Sequence, residues 1–182
     1  NLDLRLTPNQ DILLCNISNN NKSSIKKALI KIGYGNLNEI NEIQKHALAC
    51  PALPLCGLAM TEAERILPEI LTRIENLLKD LKIKKTILFR MTGCPNGCTR
   101  PYMAELALVG SGQNKYQLWL GGSKNLQRLA KPYLQRMELD DLEKTLKPLL
   151  IHWKECDSES DFGDFINTQN ESLIINLLNE IQ

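Results

Sequence analysis

Alternating apolar and polar residues predict strands in several parts of the chain. LDLRL (2–6) alternates strictly, and DILLCNI (11–17) follows it after the turn-prone TPNQ. ELALVG (105–110) and KYQLWLGG (115–122) are separated by SGQN, which predicts a hairpin or two adjacent strands. KKTILFRM (84–91) is a further strand candidate.

Helical periodicity is most sustained between Ala63 and Leu81, where apolar residues recur every three or four positions. Thr61 and Glu64 have the spacing of a capping box, which predicts that a helix starts or is reinforced there. Pro68 lies inside the periodic run and predicts a kink or two abutting helices.

Shorter helices are predicted elsewhere along the chain. Within 19–35 a polar loop is followed by a cap at Ser23 or Ser24, a short amphipathic helix and a glycine stop. The others cover 124–137 with an interruption at Pro132, 139–156 with an interruption at Pro148, and 171–181 as an amphipathic tail. ESDFGDF (159–165) is predicted to be a loop with buried phenylalanines. Strands and helices together predict a mixed α/β (α+β) fold.

Composition narrows the class of protein without identifying a function. The chain has 182 residues, of which 43% are hydrophobic and 24% charged, as in ordinary globular proteins. A net charge of +1 gives no reason to expect nucleic acid as a partner, and no apolar run approaches the length of a membrane span. The chain opens on Asn1, directly in an alternating pattern and without a signal peptide, so we expect it to be part of a longer protein.

The cysteines carry the clearest chemical signal. Four of the six form two short-spaced pairs, Cys50/Cys56 and Cys94/Cys98, and prolines and glycines place both pairs on constrained loops. In a reducing compartment such pairs favour metal ligation over disulfides. Cys15 and Cys156 have no close thiol neighbour, so we expect them to be small core residues.

Spacing alone leaves the nature of the metal open. Structural zinc sites commonly place two to four residues between paired ligands, and Cys94-x3-Cys98 fits that range whereas Cys50-x5-Cys56 is wider. An iron–sulfur cluster tolerates more varied loop spans and is favoured, with a zinc-stapled structural or binding module as the alternative. Arg90 and Arg100 flank the second pair and are either surface charges or positive groups beside an anionic cofactor.

The two cysteine loops together resemble a known family. ACPALPLCGLAMTEAER (49–65) and MTGCPNGCTRPYMAELALVG (91–110) resemble the siroheme and iron–sulfur region of assimilatory sulfite reductases. The resemblance implies a nitrite/sulfite reductase-like fold in which Cys50, Cys56, Cys94 and Cys98 ligate one [4Fe-4S] cluster. It also implies that the Cys98 thiolate reaches the siroheme iron, with Asn96 and Arg100 as further cofactor-binding residues.

Motifs outside the cysteine loops point to one branch of that family. RPYMAEL (100–106), YQLWLGG (116–122) and FGDF (162–165) resemble the ferredoxin-dependent plant and cyanobacterial enzymes rather than the NADPH-linked bacterial hemoprotein. Related nitrite reductases, the second alternative, usually carry serine where Gly97 stands. The resemblance extends over residues 1–168.

The resemblance implies a division of the chain and of its function. Residues 1–45 would be half of a ferredoxin-like module, 46–168 the siroheme and [4Fe-4S] domain, and 169–182 a C-terminal tail. The expected activity is the six-electron reduction of sulfite to sulfide in sulfur assimilation, with ferredoxin as electron donor. Basic residues that bind sulfite would lie in a missing N-terminal part. We therefore name no catalytic residue, expect this chain to be inactive alone, and place the enzyme in the cytoplasm, or in the plastid stroma of an alga or plant.

Overall fold

The computed structural model describes residues 2–9, 11–34, 40–157 and 159–179. The strands are β1 (Asp3–Leu6), β2 (Ile12–Cys15), β3 (Leu48–Ala49), β4 (Phe89–Thr92), β5 (Leu106–Gly112), β6 (Lys115–Leu120) and β7 (Lys131–Glu138). The helices are α1 (Asn19–Lys31), α2 (Glu42–His46), α3 (Leu67–Asp80), α4 (Leu142–Asp157), α5 (Phe162–Thr168) and α6 (Glu171–Asn179). Short 3-10 turns cover Pro101–Met103 and Leu139–Asp141.

The chain separates into two compact units, Asn1–Lys45 and His46–Gln182. In the first unit β1 and β2 form an antiparallel pair in which Asp3 faces Cys15. Both strands are largely exposed, although the alternation of LDLRL predicted a half-buried strand. The prediction that Cys15 is a core residue is also wrong within this chain, because its side chain is only half-buried. Helix α1 begins at Asn19 with Ser18 as its N-cap residue, before the predicted caps at Ser23 and Ser24.

The second unit is built on a five-stranded sheet in the order β3-β4-β5-β6-β7. β3, β4 and β5 run parallel to one another, whereas β6 is antiparallel to both of its neighbours, β5 and β7. Helix α4 packs against α3, α5 and α6, and α6 also contacts β7. Trp153 of α4 is fully buried and meets the edge of Phe162, with ring centroids 5.1 Å apart. The last residues of the predicted tail, 180–182, lie outside the described residues.

Two helix predictions around prolines are wrong in instructive ways. Pro68 occupies the first turn of α3, where its missing N–H costs nothing, so it marks the helix start rather than a kink. Pro148 lies inside α4 without ending the helix. The buried side chains of Leu146, Leu149 and Leu150 hold both halves of α4 against the core, which offsets the lost hydrogen bond.

Two further segments change class relative to the sequence prediction. The stretch predicted as a helix over 124–137 forms strand β7 instead. β7 is an edge strand that pairs only with β6, the position in a sheet where Pro132 is tolerated. ESDFGDF is not a loop, because helix α5 begins at Phe162. Its phenylalanines, Phe162 and Phe165, are buried as predicted.

Candidate cofactor-binding site at the sheet edge

The parallel pairing of β3 and β4 brings the two cysteine loops to one edge of the sheet. Leu48 pairs with Arg90 and Ala49 with Met91. Cys50 directly follows β3, and Cys94 comes shortly after β4. Because neighbouring parallel strands end at the same edge, both chains leave the sheet side by side.

Hydrogen bonds then join the two loops. The backbone N–H of Gly93 donates to Cys50 Sγ over 3.3 Å, and the backbone N–H of Cys50 donates to the Met91 carbonyl over 3.3 Å. The Gly93 carbonyl accepts from the N–H groups of Met60 at 2.8 Å and Thr61 at 3.2 Å. The first loop therefore wraps around the residue that precedes Cys94.

Close backbone packing makes Gly93 and Gly110 sterically restricted. A methyl group on Gly93 would stand 2.6 Å from Ala52 Cβ and 2.8 Å from the Thr61 carbonyl oxygen. A methyl group on Gly110 of β5 would overlap the Gly93 carbonyl and stand 2.8 Å from Thr61 Cγ2. Glycine at both positions lets the loops and β5 approach within backbone contact.

The second loop is a tight turn that hydrogen bonds fix to the end of β4. Gly97 has a left-handed φ of +68°, and its carbonyl accepts a 2.7 Å hydrogen bond from the N–H of Arg100. Thr92 Oγ1 donates to the Cys94 carbonyl at 3.1 Å, and Thr99 Oγ1 donates to the Met91 carbonyl at 3.0 Å. Both ends of the turn are therefore tied to the end of β4.

The four paired thiols differ in exposure. Cys50 and Cys94 are buried, Cys56 is half-buried, and Cys98 is exposed. Among the described residues, no group of three or more His, Cys, Asp or Glu side chains is arranged to hold a metal ion. The structure thus brings the two loops together but does not close their thiols around one point.

The remaining residues singled out in the sequence lie in varied settings. Asn96 is exposed at the tip of the second turn, and Arg100 is half-buried with a φ of +54°. Cys156 is exposed, so the prediction that it is a core residue is wrong. Its Sγ lies 3.4 Å from His152 Nδ1, and His152 Nε2 lies 3.3 Å from Gln169 Oε1. His46 is exposed.

Tyr116 anchors the first cysteine loop to β6. Its hydroxyl donates a 2.8 Å hydrogen bond to the Glu62 carbonyl and lies 3.0 Å from Thr61 Oγ1. Burial raises the pKa of Tyr116 to about 12, although the Thr61 hydroxyl opposes the shift. Because Thr61 is committed to Tyr116, it does not cap a helix, and α3 begins only at Leu67.

Two buried charged groups support the site from beneath. Glu105 is fully buried, and its carboxylate accepts from the N–H groups of Leu88 at 2.8 Å and Gly163 at 2.9 Å. Burial raises the pKa of Glu105, although these hydrogen bonds and Lys124 oppose the shift. Arg90 is 2% exposed, and burial followed by the charge of Arg100 lowers the pKa of its guanidinium. The sequence left the role of Arg90 open and gave no sign of Glu105, since only tertiary packing buries it.

Comparison of folds defines the class of protein. The chain has a mixed α/β fold of the nitrite/sulfite reductase type, as the sequence predicted, and it is similar to the NirA protein of Mycobacterium tuberculosis. That likeness has a TM-score of 0.73 at 20% sequence identity and covers 94% of this chain and 33% of NirA. No protein-family model matches the chain.

Comparison of sequences confirms the resemblance to sulfite reductases. The chain is 48% identical over 166 residues to the sulfite reductase [ferredoxin] of Synechococcus elongatus, covering 90% of this chain and 27% of that protein. It is 40% identical over 166 residues to the sulfite reductase [NADPH] hemoprotein beta-component of Oceanobacillus iheyensis, covering 90% of this chain and 29% of that protein. These relatives are oxidoreductases, and the chain corresponds to a segment of less than a third of their length.

Within residues 2–9, 11–34, 40–157 and 159–179, no helix combines the length and apolar character needed to cross a bilayer.

Proposed function

We propose that this chain is the C-terminal part of a ferredoxin-dependent sulfite reductase, which reduces sulfite to sulfide with six electrons. The observation that carries the proposal is the meeting of two cysteine loops at one sheet edge, joined by the hydrogen bond from Gly93 to Cys50 Sγ. Similarity to sulfite reductases over 90% of the chain supports the same function.

The residues present fit a [4Fe-4S] cluster better than a single zinc ion. Thiolates are the usual ligands of both, but zinc needs all four sulfurs about 2.3 Å from one centre. A four-iron cluster places iron and sulfide between its ligands, so its thiolates stand farther apart. The wide Cys50-x5-Cys56 spacing, on a loop whose Cys50 meets the Gly93 backbone, favours the larger cofactor. We assign Cys50, Cys56, Cys94 and Cys98 as its ligands.

Cys98 is the residue we assign to the link with siroheme. Its exposure leaves the thiol accessible to a second cofactor, whereas Cys50 and Cys94 are enclosed by protein. Gly97, with its left-handed backbone, directly precedes Cys98, and the exposed Asn96 and half-buried Arg100 lie two residues before and after it. When bound, siroheme and the cluster together supply the stored electrons and the iron that binds sulfite.

Apolar side chains around the loops point to a covering surface outside this chain. Leu55 and Leu58, on either side of Cys56, are 79% and 71% exposed. In the first unit, Leu6 and Ile12 are 85% and 66% exposed. Exposed apolar residues concentrated at these places are typical of surfaces that contact something else. The proposal assigns that cover to siroheme at the loops and to the N-terminal part of the enzyme at residues 1–45.

The choice of ferredoxin as electron donor follows sequence similarity. Identity is 48% to the ferredoxin-linked relative and 40% to the NADPH-linked relative over the same number of residues. The motifs at 100–106, 116–122 and 162–165 favour the same branch. The cytoplasm of a bacterium, or the plastid stroma of an alga or plant, remains the predicted compartment.

Turnover by the full-length protein tests this function. Anaerobic protein given reduced ferredoxin should convert sulfite to sulfide, and NADPH without a flavoprotein partner should not support the reaction. Cys98→Ser should abolish sulfite turnover while Cys15→Ser leaves it intact. Retained turnover in the Cys98 variant, or reduction of nitrite in clear preference to sulfite, would contradict the proposal.

A further inference from the structure

Arg90 places a buried positive charge directly beneath the second cysteine loop. Its side chain is 2% exposed, and its Nη1 donates to the carbonyl oxygens of Thr99 at 3.1 Å and Arg100 at 3.2 Å. Thr99 is the residue that follows Cys98. The guanidinium therefore contacts the backbone immediately after the thiol that we assign to both cofactors.

This charge lacks a counter-ion among the described residues. In the part of the chain that the structure describes, no ion pair joins Arg90 to an Asp or Glu side chain, and its buried Nε has no hydrogen-bond partner. Burial lowers the pKa of the Arg90 guanidinium, the positive charge of Arg100 lowers it further, and Tyr102 opposes the shift. Burying a cation in this way costs free energy unless a negative group compensates it.

We infer that Arg90 is the counter-charge of the iron–sulfur cluster and raises its reduction potential. The inference rests on the proposed function, because it needs a cluster on the adjacent loop. A cluster with four thiolate ligands is negatively charged and gains one further negative charge when it is reduced. A fixed positive charge in a dry setting favours the reduced form, which makes the cluster easier to reduce.

A purely structural role makes a different prediction. If Arg90 serves only to tie down the Thr99 and Arg100 carbonyls, then a neutral donor should replace it as well as a charged one. Arg90→Gln keeps N–H donors and removes the charge, whereas Arg90→Lys keeps the charge with a different donor geometry. The two variants therefore separate charge from hydrogen bonding.

The experiment is a redox titration of the cluster in the full-length holoenzyme, followed by electron paramagnetic resonance. Arg90→Gln should move the midpoint potential of the cluster to a more negative value. At a fixed potential the ratio of oxidised to reduced cluster should rise about tenfold, which corresponds to a shift of about 59 mV for one electron. Arg90→Lys should stay near the wild-type potential. Arg136→Gln, an exposed arginine on β7, removes the same charge elsewhere and should leave the potential unchanged.

The other possible results either support the inference or overturn it. An unchanged potential in Arg90→Gln, or equal shifts in Arg90→Gln and Arg90→Lys, overturns the inference. If Arg90→Gln loads no cluster while Arg90→Lys does, the requirement for charge is supported; if neither loads, the role is structural and the inference fails. A wild-type enzyme without any [4Fe-4S] signal contradicts the proposed function itself, before either variant is measured.

Discussion

The backbone N–H of Gly93 donates a 3.3 Å hydrogen bond to Cys50 Sγ, across 43 residues of sequence. This contact joins the residue before Cys94 to the first cysteine of the other pair. Hydrogen bonds to cysteine sulfur are one of the means by which a protein adjusts an iron–sulfur centre. In the proposed cluster site, the packing of the loops would therefore influence the redox chemistry of the cluster. Substitutions at the glycines that allow this packing test the relationship.

Gly110→Ala should disturb the cysteine site from within β5. The added methyl would overlap the Gly93 carbonyl, so Gly93 and the start of the Cys94 loop must shift. We expect a loss of roughly 1–3 kcal/mol in the free energy of unfolding, as is typical of overpacked sites. Urea unfolding of the purified chain measures this loss. Gly112→Ala on the same strand is the control, because its methyl would meet nothing closer than 3.8 Å.

Gly97→Ala should strain the second turn. Gly97 has φ of +68°, a conformation that costs a residue with a Cβ roughly 1–2 kcal/mol. Gly97→Asn should cost less, since asparagine tolerates this conformation better. Thermal unfolding of the two variants compares them directly. Equal stability of Gly97→Ala and wild type would show that the turn can relax without its left-handed residue.

Tyr116→Phe should loosen the first cysteine loop. It removes the donor to the carbonyl of the half-buried Glu62 and the partner of Thr61, at a cost of roughly 1–3 kcal/mol. Because burial raises the pKa of Tyr116 from 10.0 to about 12, the stability it contributes is complete below pH 10.0 and is lost as pH rises through about 12. The deficit of the variant should shrink over that range. Tyr34→Phe, at a 70% exposed side chain, is the control in the same unfolding series.

Glu105→Gln should lower the free energy of unfolding most at acid pH. Both oxygens of the Glu105 carboxyl group, protonated or ionised, can accept a backbone N–H, whereas the NH2 of glutamine cannot, so one buried donor loses its partner at a cost of roughly 1–3 kcal/mol. The raised pKa of Glu105 means that its stabilising effect is complete below the ordinary value of 4.5 and declines as pH rises above it. Unfolding free energies of wild type and variant should therefore converge with rising pH. A gap that widens instead would contradict the direction of the pKa shift; the exposed Glu155→Gln is the control.

The sequence predicted those parts of the fold where local pattern and tertiary setting agree. The apolar run at the start of Leu106–Gly112 and the patterned Lys115–Leu120, separated by a turn-prone segment, match the observed hairpin. Over 131–138 the apolar positions are compatible with a helix or a strand. Antiparallel pairing with β6 is what makes this segment a strand. Thr61 shows the reverse case, because a distant tyrosine takes the hydroxyl that local spacing assigned to a helix cap.

The sequence singled out candidate ligands but gave no sign of the buried residues that support their loops. Short cysteine spacing singles out Cys50, Cys56, Cys94 and Cys98 without any structure. The burial of Arg90 and Glu105 depends on strand pairing and on α5, which leave no periodic signal in the chain. Gly93 and Gly110 are likewise separated in sequence and meet only through the register of the sheet.

Iron and acid-labile sulfide, measured on anaerobically purified full-length protein, decide whether the two cysteine loops hold one cluster. We expect four irons and four sulfides per chain in wild type and in Cys15→Ser and Cys156→Ser. We expect their loss in Cys50→Ser and Cys94→Ser, because a cluster needs ligands from both loops. One zinc per chain without sulfide, or a full cluster in Cys94→Ser, would contradict the cluster assignment.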